Sequence, residues 1–485
     1  MRRHSVIVRS ASPETERLLS LLFSRYPAHE WATFARFGWR DTGNSLVLTI
    51  AALDPPTPGD LNGNVPHVAI DEAYTLRVAL GSEQHPFGVG VVHSHPEGCP
   101  PIASPIDDDM DSYYSAYFGD FAPDRPYVSL IAAKLGGELV LSGRVWWRGQ
   151  WRGVDRFCVE GTLVQTWAKG YFARDDIQVR ERTARLNAAF GTHAAVRLRQ
   201  ATVAVIGAGG TGSAAIEVLA RAGVGRLIIV DPDRLTESNL ERVHGSVPAH
   251  AARTCPKVSL AREHVHAIDP SCEVIGLVGS LPQDAVIDDV ITADVMLGCT
   301  DQAHSRLALS DIALRYVIPA LDSGVVLEGA EGTVTGQVIQ LVRCLPADPC
   351  LLCRGMIDAK RVAEELMSPQ ERHQRQAAAE EAIARGEKPD PYWRGLPQLN
   401  TAGFLTTTAG AMLAGYAIGW ITGRFAPPFS RLQMNLAAPL LDVTDDPMPA
   451  RPDCACRRVR GWADQGRDDA FVTEPPHWLP VEVLR

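Results

Sequence analysis

Three groups of residues in this sequence have the types and spacings that chemistry requires. The first is His93-Ser94-His95-Pro96, followed after a Pro- and Gly-rich loop by Ser104-Pro105-Ile106-Asp107. Histidines at i and i+2 on a strand point to one face, so both imidazoles can reach one ion. Such a pair plus one carboxylate leaves a fourth position for water, as a catalytic zinc requires. The bland alternative is a pair of ordinary loop histidines beside a solvated acidic turn. The second group is Gly207, Gly209, Gly210 and Gly212, directly after the apolar run 203–206. Their missing side chains permit a tight turn and let backbone N–H groups approach a phosphate. The third group is Cys350, Cys353, Cys454 and Cys456. Four thiolates in two close pairs form a closed tetrahedral zinc site, structural because no position is open to water. Buried, unligated thiols are its alternative.

The glycines need a strand before them and a helix after them. Residues 203–206 are β-branched and apolar, as in a buried parallel strand, and 213–222 read as a helix whose N-terminus favours an anion. Residues 227–230 form a second strand ending at Asp231, which completes a nucleotide-binding βαβ unit. This much does not choose between NAD and ATP. The histidines need the strand 88–92. Around it, 14–23 have helical spacing, 31–39 and 45–53 form a hairpin, and 68–80 are helix or strand. Residues 126–133 and 138–147 pair around Gly136-Gly137, which predicts an α+β domain over 1–165. The connection lies within 148–171, a linker occupies 166–177, and an α/β domain spans 178–485. Residues 178–197 are polar and helix-prone, and 358–388 read as a solvated helix or crossover.

With 485 residues the chain can build two or three domains, each with its own core. A net charge of −10 argues against nucleic acid as a main partner. Residues 401–423 carry no charge, but their Gly and Thr content favours a buried or interface helix over a membrane span. No export signal is visible, so the ten cysteines read as reduced thiols or metal ligands and the expected compartment is the cytoplasm.

After the glycine turn come Asp231-Pro-Asp233, Ser238-Asn239-Leu240-Glu241-Arg242, Lys257, and Gly298-Cys299-Thr300-Asp301 with Arg306. This set resembles the ThiF/MoeB family, which includes the activating enzymes of ubiquitin-like proteins. The resemblance covers roughly residues 178–460 and implies a Rossmann-like domain. It implies ATP and Mg2+ as cofactors, and adenylation of the C-terminal glycine of a ubiquitin-like or sulfur-carrier protein. Asp231 and Asp233 then lie at the ribose side, Asn239, Arg242 and Lys257 at the phosphates, and Asp301 at Mg2+. Arg306 joins them or merely braces their loop. Arg185, with Arg182 second, matches an arginine that reaches across a homodimer interface. Members of the family often carry paired cysteines at the places found here. Residues 396–410 resemble the loop and helix start that hold a thioester cysteine in ubiquitin-activating relatives, yet contain none. The acyl group then stays as the adenylate, moves to a distant thiol such as Cys344, or moves to a hydroxyl near Thr401.

The histidine motif, joined to Ser104, Asp107 and an upstream Glu30, resembles the JAMM (MPN/JAB) metalloproteases. The resemblance implies His93, His95 and Asp107 as zinc ligands, Ser104 steadying the oxyanion, and Glu30 as general acid/base. The loop between His95 and Asp107 is about one residue longer than the family's, so Asp108 or Asp109 is the alternative ligand. The surroundings of Glu30 also lack the family's glycine pattern. Together the two resemblances imply a fusion in a bacterial ubiquitin-like conjugation or antiphage pathway, with a conjugating-enzyme-like protein as a further partner. Sulfur-carrier activation and a non-catalytic binding scaffold are the rival readings.

Overall fold

The computed structural model describes residues 4–24, 29–62, 67–168, 171–172, 181–330, 332–388, 401–438, 440–445, 449–472 and 481–484. The first part runs β1 (Ser5–Ser10), α1 (Ser12–Leu22), β2 (Ala32–Asp41), β3 (Ser45–Asp54), α2 (Glu72–Glu83), β4 (Gly88–Ser94) and α3 (Pro105–Phe121). It continues with β5 (Tyr127–Leu135), β6 (Glu138–Trp147), β7 (Gln150–Gly153), β8 (Arg156–Val159), β9 (Thr162–Ala168) and β10 (Tyr171–Phe172). The sheet order is β10-β9-β8-β1-β3-β2-β4-β5-β6-β7. Strand β9 also pairs with β6 at Gln165↔Val140, so the sheet curls round on itself.

One open expectation is settled here and two change. The ambiguous stretch 68–80 is mostly helix, started by the Asp71 carboxylate accepting the Ala73 N–H at 2.8 Å. Residues 148–171 are not a simple connection: they hold three strands, and β8 lies parallel to β1 with Ile7 opposite Arg156. The sheet therefore runs across position 165, and 169–170 and 173–177 of the expected linker lie outside the described residues.

The second part opens with α4 (Ala184–Phe190) and α5 (Thr192–Gln200), separated at Gly191, whose φ of +87° ends one helix and redirects the chain. The helix-prone stretch 178–197 thus holds two helices, and 178–180 lie outside the described residues. Then follow β11 (Thr202–Ile206), α6 (Gly210–Ala222), β12 (Arg226–Val230), α7 (Lys257–Ile268), β13 (Glu273–Val278), α8 (Asp284–Val290), β14 (Val295–Gly298), α9 (Ala303–Arg315), β15 (Ala320–Ala330) and β16 (Thr333–Cys344). Next come α10 (Ala359–Leu366), α11 (Pro369–Ala384), α12 (Gly403–Thr422), β17 (Arg431–Asn435), β18 (Leu440–Thr444) and β19 (Glu482–Leu484). The sheet order is β18-β17-β16-β15-β14-β11-β12-β13-β19, with β15-β14-β11-β12-β13 parallel. The strand order reverses between β11 and β14, which opens a crevice outside their carboxyl ends.

Helix α12 is long and apolar enough to cross a membrane, but it lies mostly buried. Gly410 explains how: a Cβ there would sit 2.2 Å from the Thr211 carbonyl oxygen, so only glycine lets α12 press onto α6. Leu405, Leu413, Ala417 and Ile421 then join the core beneath the sheet.

The cores of the two parts interlock at a seam. In β1 and β3 every residue of the central run is apolar, and the two faces go opposite ways. Val6, Val8, Leu46 and Leu48 fill the first core, whereas Ile7 and Val47 pack with Ile228, Met296 and Ala320 of the second. Arg9 is fully buried at this seam, where it donates to the carbonyls of Ile291 and, at 2.6 Å, Ala293. A strap, residues 459–467, closes the seam from the other side. Trp39 N–H donates to Gln465 Oε1 at 2.8 Å, Thr49 Oγ1 donates to the Gly461 carbonyl at 2.6 Å, and Trp462 meets Phe87 edge-on at 5.4 Å.

Candidate active site and metal centres

A cavity of about 790 Å3 occupies the crevice at the β11/β14 reversal. Gly207 ends β11 with φ +104°, and a Cβ there would lie 2.5 Å from the Cys299 carbonyl oxygen. Gly212 touches the same turn, since its Cβ would fall 1.8 Å from Gly207 O. Gly209 caps α6, and a Cβ on it would meet nothing within 4 Å except the open cavity. The first amides of α6 therefore face an accessible space at the positive end of a helix. Gly210 also lines it.

At the end of β12, Asp231 is 5% exposed and accepts the Ala208 N–H at 2.6 Å and the Asp233 N–H at 2.8 Å. These bonds shape the glycine turn while leaving carboxylate lone pairs for a ligand hydroxyl. Burial pushes the Asp231 carboxyl up, and the nearby Lys257 counters that rise. Lys257 Nζ lies 2.7 Å from Asp233 and 4.0 Å from Asp231. Burial alone would lower the Lys257 ammonium, but these carboxylates outweigh it and hold it cationic. Asn239 accepts the Thr236 N–H with Oδ1 at 3.1 Å, which fixes its loop against the cavity. Arg242 donates to the Ser238 carbonyl at 2.8 Å and lines the same wall. Across the cavity stands the exposed Asp301. Arg306 also lines the cavity, but its guanidinium forks onto the fully buried Asp322 at 2.5–3.1 Å, so it braces β15.

Arg185 is exposed on α4 and is not among the described residues lining this cavity. Arg182 is held by the Asp269 carboxylate. The sequence reading missed Arg361, which lines the cavity and donates to the Asp301 carbonyl at 2.7 Å. It sits on α10, inside the charged stretch read as solvated. The helix is anchored by the buried Glu365, which accepts the His304 N–H at 2.9 Å. Nothing in that charged run distinguishes Arg361 from its neighbours. Gln340, Thr401, Thr406 and Gln433 complete the far wall. Cys299 and Cys344 are poor nucleophiles here, because burial pushes both thiols far up.

The histidine motif ends β4. His93, His95 and Asp107 offer ligand atoms all within 4.8 Å of one another. Each turns a possible ligand atom toward the others. The His95 Nδ1–H donates to the Pro100 carbonyl at 2.8 Å, which leaves the Nε2 lone pair free. His93 Nε2 is buried without a hydrogen bond, since its 3.3 Å approach to Asp107 Oδ1 lacks the geometry of one. Burial lowers the His93 imidazole to about 4, so the ring is neutral. Asp107 Oδ2 accepts the Ser104 N–H at 2.6 Å, which leaves Oδ1 facing His93. Ser104 Oγ in turn accepts the Asp107 N–H at 3.3 Å, a reciprocal box that starts α3. The structure brings Asp107 to the histidines and gives Asp108 to Arg144 at 2.5 Å. Asp109 is in no such group among the described residues. The antiparallel register Ala32↔His93, continued by the Ser94 N–H donating to Trp31 O, carries Glu30 onto the face of both histidines. Its side chain is 12% exposed, 3.4 Å from His67.

The sulfurs of Cys350, Cys353, Cys454 and Cys456 also lie within 4.8 Å of one another. Cys350–Cys454 is 3.7 Å and Cys353–Cys456 is 3.8 Å. Zinc–sulfur bonds of about 2.3 Å in a tetrahedron separate the sulfurs by about 3.8 Å, so these distances suit a zinc ion. Backbone N–H groups of Cys353 and Arg451 point at the sulfurs of Cys350 and Cys353, as donors around thiolates do.

A model of the ThiF family matches residues 181–457. The sequence is 30% identical over 175 residues to the sulfur carrier protein ThiS adenylyltransferase of Bacillus subtilis, covering 36% of this chain and 49% of that protein. It is 33% identical over 159 residues to the SAMP-activating enzyme E1 of Haloferax volcanii, covering 32% of this chain and 54% of that one. The chain thus spans about half the length of these curated relatives. Among solved structures, E. coli MccB with ATP overlaps it at a TM-score of 0.43 and 17% identity, over 58% of this chain and 76% of that one.

Proposed function

The chain belongs to the ThiF family, and on that premise we propose that it uses ATP to adenylate the C-terminal carboxylate of a ubiquitin-like or sulfur-carrier protein. The observation that carries this is the cavity at the strand reversal, with glycine amides on one side and Asn239, Arg242, Lys257 and Asp301 around it. The substrate carboxylate attacks the α-phosphorus, and pyrophosphate leaves. Negative charge spreads over phosphate oxygens, so fixed donors that are already oriented lower the barrier. The amides at Gly209 and Gly210, with Asn239, Arg242 and Lys257, hold those oxygens. Asp231 takes the ribose, and Asp301 would hold Mg2+, which when bound neutralises phosphate charge. The exposed Arg185 is free to serve the cavity of a second copy, as a homodimer requires.

For the first part we propose a zinc-dependent peptidase that trims the precursor of such a protein or releases it from conjugates. His93 Nε2, His95 Nε2 and Asp107 Oδ1 would hold the zinc. That ion, when bound, polarises the scissile carbonyl and activates water. Glu30 moves the proton from water to the leaving amine, and the Ser104 hydroxyl donates to the oxyanion. Such a trimmed C-terminus is the substrate of the second part, and joining both sites raises their effective concentration on it.

The sulfur-carrier reading has its own support in the Bacillus relative's name and in the burial of the Cys299 and Cys344 thiols. In both readings the acyl group first rests as the adenylate. The deciding experiment is ATP–pyrophosphate exchange with candidate partners ending in glycine. Exchange that requires the partner supports the proposal. No exchange with a trimmed partner reduces the second part to a nucleotide-binding module.

A further inference from the structure

Beyond the cavity wall, three side chains stand in the order that activates a hydroxyl. Thr407 Oγ1 lies 2.9 Å from His244 Nε2, and His244 Nδ1 lies 2.9 Å from Glu217 Oε2. A carboxylate can only accept, so Nδ1 carries the ring proton and Nε2 presents its lone pair to the Thr407 O–H. Glu217 is itself fixed: its Oε1 accepts two bonds from Arg221 at 2.7 and 2.9 Å, and its Oε2 is 3.3 Å from His264 Nε2. The His244 N–H donates to Ser213 Oγ at 3.0 Å, which sets the base on its loop.

The behaviour of Thr407 differs from its helix. Within α12, Thr406, Thr408 and Thr422 donate their hydroxyls back to carbonyls three or four residues earlier, the usual partner of a helical threonine. Thr407 alone turns its hydroxyl to a base. The group is reachable, since the His244 side chain is 29% exposed. It adjoins the cavity along the chain: Thr406 and Arg242 line that space, and Thr407 and His244 follow them by one and two residues.

We propose that Thr407 is a nucleophile, with His244 as its general base and Glu217 orienting the ring, that accepts an activated acyl group as an ester. The acyl donor would be the adenylate, and this identification rests on the function proposed above. Thr407 Oγ attacks the acyl carbon and its proton passes to His244 Nε2. The C–O bond to phosphate then breaks, and AMP leaves.

The test uses the full chain and p-nitrophenyl acetate, an activated ester that needs no ATP. The expected result is p-nitrophenolate release with an acetyl group on Thr407, located by peptide mass spectrometry. Thr407→Val loses that adduct, Thr407→Ser keeps it, and His244→Ala slows it by about 10²-fold. Thr407→Cys, nearly the same size, converts it to a thioester cleaved by thiols. Acetylation spread over lysines with Thr407 unmodified, or a Thr407→Cys protein whose new thiol stays unacylated, overturns the proposal. Pyrophosphate exchange is read on the same protein. Exchange without Thr407 acylation defeats this inference alone, and acylation without exchange defeats only the adenylation reading.

Discussion

Arg40 and Asp464 meet at 3.2 Å although 424 positions separate them in the chain. Arg40 is the hub of the seam, since it also reaches Asp288 at 2.6 Å and is itself 7% exposed. Arg40→Ala leaves both carboxylates facing an empty site. We expect a loss of about 2 kcal/mol, read from urea unfolding, with the two parts melting less cooperatively.

Zinc content tests the two proposed metal centres separately. Elemental analysis of the purified chain is expected to give two zinc ions per chain. His93→Ala should give one, and Cys353→Ser should give one together with a lower melting temperature, because the cysteine cluster sits directly before the strap. A wild-type chain without zinc would contradict both assignments.

Two glycines of the same turn should respond in opposite ways. Gly212→Ala forces a Cβ to 1.8 Å from Gly207 O, so it should unfold the turn and lower the melting temperature. Gly209→Val places its atoms in open cavity. It should keep the melting temperature and weaken ATP binding by at least tenfold, measured by calorimetry.

Asp269 predicts a pH dependence. Burial would raise its carboxyl, but hydrogen bonds from Ser271 and the Arg182 guanidinium outweigh that and bring it to about 2. A folded-state value below the unfolded one stabilises the fold above about pH 4. That contribution fades as the pH falls through about 2. Asp269→Asn should therefore be less stable than wild type at pH 7, and the gap should narrow as the pH falls toward 2 in parallel denaturation curves.

Much of the second part was legible in the sequence because its signals are local. The apolar run before the glycines and the acid after the next strand lie within thirty residues, and His-x-His carries its own period. The expected βαβ unit is present at β11, α6 and β12. Other features depend on distant contacts and leave no local trace. Residues 6–8 and 46–48 read as plain strands, and nothing in them tells that Ile7 and Val47 serve a second core. The strap, residues 459–467, carries no periodic apolar signal of its own, because its order comes from Trp39 and Thr49. Arg361 looked like one charge among many, and only α10 docking beside Asp301 reveals its place.

The strap also sets a timetable for translation. Strands β1 to β3 emerge early, yet Gly461 and Gln465 that cover them are made more than four hundred residues later. At roughly 5–20 residues per second the nascent first part waits about 20–80 s for its cover. Until Ile228, Met296 and Ala320 emerge, Ile7 and Val47 have no partners from the second core, so chaperones have time to bind them. A ribosome that stalls before residue 459 therefore leaves Trp39 N–H and the Thr49 hydroxyl without the partners that the strap supplies.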